Sequence, residues 1–207
     1  MNKQDTISPV SMPEAKFTAQ GKIPSVAQCR QLWDKFSMME HIKDHSRQVA
    51  AIASELAWLE YKDENSPLFR SVLAAALLHD LAKTYCIHHG GEHAAVGGAW
   101  VQALTKNPYL SQGVIHHVYW PGQIDLEKHF LPLVVIYSDK RVRHDKVVSL
   151  QERFEDLIKR YGSTPTSKKQ IKIAMDQGLA IEQALEKRFG VQLNAHTFDS
   201  RWLVERT

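Results

Sequence analysis

The chain has 207 residues, 43% of them hydrophobic and 24% charged, close to the averages of ordinary globular domains, which excludes a fibrous or mainly disordered polypeptide. A net charge of +3 does not argue for a basic face that binds a nucleic acid duplex, and none is expected, although a local basic patch for a small anion is compatible with it. Two cysteines, Cys29 and Cys86, are too few and too far apart for a disulfide framework or a thiolate metal site. A reducing compartment is the expectation. With no apolar run of signal-peptide or membrane-span length, so is a cytoplasmic location without membrane attachment.

In chain order, residues 1–24 are polar and aperiodic and are expected to form a flexible N-terminal arm. Residues 25–190 carry helical periods throughout and are expected to form one all-α core. The first helix spans 24–39: Ser25 caps it, and Val26, Cys29, Leu32 and Phe36 share a face, making Cys29 a core residue. In the second, 41–59, His45, Val49, Ile52 and Leu56 recur at steps of four, three and four, so His45 points inward with its apolar neighbours. A turn at 63–67 leads to a strongly apolar helix, 68–83, which carries the polar pair His79 and Asp80 near its end. Residues 84–91, with His88, His89, Gly90 and Gly91, are read as a loop. Helices follow at 92–104 and 110–119, the latter stopped by Trp120, Pro121 and Gly122. In the next, 131–143, Leu131, Val135, Ser138, Asp139 and Val142 share a face, so Asp139 is aimed at the core. Helices at 148–161 and 168–189 complete the set, and nothing alternates with a strand's period for long. The tail, 191–207, carries apolar Leu193, Phe198, Trp202 and Leu203, suited to docking on the core or on a second copy of the chain in a homodimer.

Eleven histidines are the compositional anomaly, ten of them between His41 and His144. His45, the pair His79 and Asp80, and Asp139 lie on the inward faces of three separate helices. Carboxylates facing a core are costly unless paired, and a divalent cation compensates two of them together with imidazoles. Mixed nitrogen and oxygen donors suit iron, manganese, zinc, cobalt or magnesium.

The order H, then HD, then D on separate helices resembles the motif of the HD-domain superfamily. His45 lies in HSRQVAAIASELA, His79 and Asp80 in AALLHDLAK, and Asp139 in VIYSDKRV; the resemblance covers roughly residues 41–161. It implies an HD-domain helical bundle and metal-dependent hydrolysis of phosphorylated small molecules. The segments GEHAAVGGA and GVIHHVYWPG are similar to the extra histidine segments of its multi-metal branches. By that resemblance His93 and one or both of His116 and His117 hold a second ion, with Asp80 bridging the two. Helical period favours His117, which shares a stripe with Leu110 and Val114. The nearest subgroup in motif is the bacterial one that symmetrically cleaves diadenosine tetraphosphate. The Gly-Tyr-Pro signature of cyclic dinucleotide phosphodiesterases does not follow His117, which disfavours that substrate.

The implied reaction is attack of metal-activated hydroxide on phosphorus in a phosphate ester or phosphoanhydride of a nucleotide or dinucleoside polyphosphate. Lys83, three residues beyond Asp80, is the first candidate for a catalytic and phosphate-holding cation; Lys140, Arg141 and Arg143 follow Asp139 and are further candidates for substrate binding. His41, His129, His144 and His196 read as surface residues. A nucleotide-sensing module with little turnover shares these features and is the alternative; a metal-storage bundle needs a Glu-x-x-His pattern that the chain lacks.

Overall fold

The structure, a computed structural model, describes residues 21–193 together with Phe198. Most of the expected N-terminal arm and C-terminal tail therefore lies outside the described residues. Within them are nine α-helices and one short hairpin: α1 (Val26–Lys35), α2 (Glu40–Tyr61), α3 (Pro67–Leu78), α4 (Lys83–His89), α5 (His93–Thr105), α6 (Pro108–Ile115), α7 (Leu126–Lys140), β1 (Val142–Arg143), β2 (Lys146–Val147), α8 (Leu150–Tyr161) and α9 (Pro165–Phe189). The all-α class holds.

Local chemistry explains where these helices begin. Ser25, Ser149 and Thr164 each cap a helix through a reciprocal capping box, while Ser66 and Asn107 cap helices that carry proline in the first turn. Buried faces then pack α2 against α3 and α7, α3 against α6, and α5 against α6, with α7 also meeting α9 and α8 lying along α9. Val49, Ile52, Leu56, Val72, Leu77, Leu131 and Val135 belong to the one continuous core that results.

Three departures from the sequence-based elements matter for function. The apolar helix stops at Leu78, so His79–Ala82 form a tight turn, and the expected loop is the short helix α4, ended by Gly90 and Gly91 at φ +78° and +101°. α7 begins at Leu126, capped by Asp125, and kinks at His129, three residues before Pro132, whose ring and missing N–H disrupt the preceding turn. His129 is buried against Trp120, at 4.7 Å between ring centres, rather than on the surface. Finally, Val142 pairs with Val147 and Arg143 with Lys146 in an antiparallel hairpin whose turn holds His144 at φ +59°.

The α3–α6–α7 junction is close-packed. A β-carbon on Gly113 would collide with Leu131 and come within 3.0 Å of Ala75 Cβ. Gly113→Ala should therefore cost stability, although alanine favours helix. Overpacking costs about 1–3 kcal/mol and the propensity gain returns about 1, so urea unfolding should show a net loss of up to about 2 kcal/mol.

Candidate metal centre

Helix ends build much of the site. The last carbonyls of an α-helix have no partner within it, and two of them here orient imidazoles. His79 Nδ1 donates to Ala76 O at 2.7 Å at the end of α3, and His117 Nδ1 donates to Val114 O at 2.7 Å at the end of α6. A third ring, His45 in the second turn of α2, donates from Nδ1 to the His144 carbonyl in the hairpin turn at 3.0 Å. A carbonyl can only accept, so each Nδ1 carries the proton and each Nε2 presents towards a common centre.

Asp80 is that centre. Its Oδ2 lies 3.4 Å from His79 Nε2 and 4.0 Å from His45 Nε2. Asp139 Oδ1 completes this side, 3.0 Å from His45 Nε2 and 3.8 Å from His79 Nε2. On the other side Asp80 Oδ1 lies 3.2 Å from His93 Nε2 and 3.5 Å from His117 Nε2, and those two nitrogens are 3.1 Å apart. Two donor groups therefore share one carboxylate: His45, His79 and Asp80, and Asp80, His93 and His117.

The arrangement passes a geometric and an energetic test for holding ions. Ligand atoms at roughly 2.0–2.2 Å from a cation stand roughly 3.0–3.5 Å from one another, the spacing that most of these pairs show. His79 Nε2 and Asp80 Oδ1 are buried without a hydrogen-bond partner. Buried orphans of this kind are rare and call for a missing partner, and a divalent ion is one that both can share.

Electrostatics already favours the ligating forms of the carboxylates. Burial pushes the Asp80 carboxyl upward, but the pull of the His79 imidazole, the Lys83 ammonium and the His117 imidazole outweighs it and holds the group well below the usual carboxylate range. Asp139 behaves likewise: burial opposes ionisation, and Lys140 and His45 overcome it. His117 is pushed down to about 4, chiefly by burial and against the pull of Asp80, so it is neutral at physiological pH. Lys83 Nζ donates to Asp80 Oδ2 at 2.8 Å and Lys140 Nζ to Asp139 Oδ2 at 2.6 Å.

The cluster forms the floor of a cleft of about 560 Å³, a size common for small-molecule sites. Of the sequence-based candidates, His45, His79, Asp80, His93, His117 and Asp139 come together, and Lys83 and Lys140 line the cleft above them. His116 does not join; its ring sits edge-on to Trp120, with centres 5.1 Å apart. Arg141 turns away from the cleft, and Arg143, on β1, is outside its lining. Missed from the sequence were His41 and His144, which line the cleft, and the α8 residues Arg153, Arg160 and Tyr161.

A helical bundle whose buried imidazoles and carboxylates converge beneath a cleft lined by lysines is a scaffold for metal-assisted chemistry on anions. The family model of the HD domain matches residues 42–160, more than half of the 207-residue chain, and the chain belongs to that family. HD domains bind divalent metals and are generally metal-dependent phosphohydrolases. Comparisons with curated proteins and with solved structures return no match. Among the described residues, no helix is long and apolar enough to cross a membrane.

Proposed function

We propose that this protein hydrolyses a phosphate ester or phosphoanhydride of a nucleotide or dinucleoside polyphosphate at a two-ion centre. The observation that carries this reading is the double-sided Asp80, whose two oxygens face separate donor groups at the floor of the cleft. His45, His79, Asp80 and Asp139 would hold one ion, and Asp80, His93 and His117 the second. When bound, divalent ions polarise a phosphoryl oxygen and lower the pKa of water from about 15.7 towards about 7.

The rest falls to the chain. Asp80 fixes the two donor groups relative to each other. Lys83 is partly exposed while its ammonium reaches Asp80, so it is placed to meet a phosphate oxygen entering the cleft. Lys140 offers a second ammonium beside Asp139. Both offset the charge that spreads over phosphoryl oxygens as a leaving group departs.

The test is product release from mononucleotides, dinucleoside polyphosphates and sugar phosphates by protein loaded in turn with manganese, iron, cobalt, zinc and magnesium. Turnover of a nucleotide substrate supports the proposal. Nucleotide binding without product under every metal would point to the sensing module instead.

Metal stoichiometry gives a separate check on the two-ion reading. His117→Ala removes a donor from one group only, so elemental analysis should find about one ion per chain where the wild type holds about two. Equal content in both proteins would remove His117 from the ligand set.

A further inference from the structure

The cleft has a wall that contributes nothing to the metal-ligand set. α8 lines it with Arg153, Leu157, Arg160 and Tyr161, spaced by four, three and one, which places them on one helical stripe. The stripe is set firmly, because Leu150 and Phe154 of the same helix are buried, packed where α9 has Gly178.

Arg153 is the informative residue. Its side chain is only 11% exposed, its nearest carboxylate oxygen, on Asp156, is 3.6 Å away, and its buried Nε has no hydrogen-bond partner. Asp156 is also engaged by Arg160, so it does not neutralise Arg153 alone. Arg153 and Lys83 line the same cleft and repel each other. A largely buried guanidinium that lines the cleft, is only partly met by Asp156 and faces a second cation is a place where an anionic oxygen would be held. Further along the stripe Tyr161 is 58% exposed, with the Arg160 guanidinium over its ring at 5.2 Å. Ile87 and Val118, both exposed, line the same cleft. Aromatic and aliphatic surface left in water beside a cationic anchor suits a flat ring attached to a phosphate chain.

We propose that α8 is the substrate-recognition wall. Arg153 binds a phosphate other than the one that reacts, Tyr161 with Ile87 and Val118 receives the base, and the substrate class is a nucleoside carrying two or more linked phosphates rather than a phosphomonoester. This rests on the phosphohydrolase reading of the same cleft.

Calorimetric titration of the metal-loaded protein with two probes tests it: the α,β-methylene analogue of adenosine diphosphate, which resists cleavage, and adenosine monophosphate. The wild type should bind the diphosphate analogue more tightly. Arg153→Gln should weaken the analogue about 10- to 100-fold and the monophosphate less than about threefold, because only the distal phosphate loses a charge-assisted donor. Arg153→Lys should fall between, and it serves as the test where Arg153→Gln does not fold. Tyr161→Ala should weaken both probes together. Equal losses for the two probes in Arg153→Gln, no loss in either, or a wild type that binds neither at millimolar concentration would overturn the proposal. The two readings fail separately. Arg153-dependent binding without turnover of any phosphate compound removes the enzyme and leaves the wall, whereas turnover with no Arg153 discrimination removes the wall and leaves the enzyme.

Discussion

Asp80→Ala is expected to yield a folded protein that holds neither ion and has lost at least ~10³-fold of its phosphate-releasing activity, since hydroxide availability at neutral pH depends on the metal. Each donor group loses its shared oxygen ligand at once. Asp80 is buried at the floor of the cleft, and no other carboxylate among the described residues reaches both groups. Folding should survive for a specific reason. The substitution removes a desolvated charge, and its ammonium partner Lys83 is exposed enough to turn towards water. Elemental analysis, product release and a melting curve on the same preparation separate these effects. Retention of both ions with wild-type turnover would sink the two-sided role of Asp80.

Arg141→Met is expected to lower unfolding stability by about 3–5 kcal/mol, the usual cost of removing one member of a buried ion pair. That is a large share of the roughly 5–15 kcal/mol of a typical domain. Arg141 donates to Val148 O at 2.7 Å, to Leu193 O at 3.0 Å and to the Tyr137 hydroxyl, and stands 3.6 Å from Glu182. Tyr137 donates in turn to Glu182 at 2.8 Å. The network joins α7 to α9 and to the stretch beyond it, and the guanidinium also stacks over Phe198 at 5.2 Å. Changing Glu182 to Leu in the same chain should recover part of the loss, because the carboxylate that faced the guanidinium is removed with it. Urea unfolding of the single and double variants is the measurement. A single variant within about 1 kcal/mol of wild type would show that the network is not structural support.

The candidate ligands were legible because burial and polarity conflict at them. His45 stands on an apolar stripe, His79 and Asp80 follow a run of alanine and leucine, and Asp139 faces inward from its helix. The substrate side was not legible in the same way. Closeness to Asp139 in the sequence suggests Arg141 as a phosphate binder, yet two residues along a helix is a rotation of about 200°, which turns the guanidinium to the opposite side. Helix α4 escaped notice because seven residues ending in His88 and His89 before two glycines show too little period to oppose a loop reading. The α8 stripe did carry a signal, since Arg153, Arg160 and Tyr161 share a face with Leu157. Nothing in the chain up to Asp139 says which helix will close the cleft. The His144 contribution had no signal at all, because it is made by a main-chain carbonyl that any residue possesses.

That same economy has an evolutionary consequence. Since three rings spend a proton on peptide oxygens rather than on neighbouring side chains, the imidazole cluster inherits its orientation from the backbone. Drift among the residues facing solvent leaves it in tune, and α8 is free to be rewritten while the floor of the cleft stays unchanged.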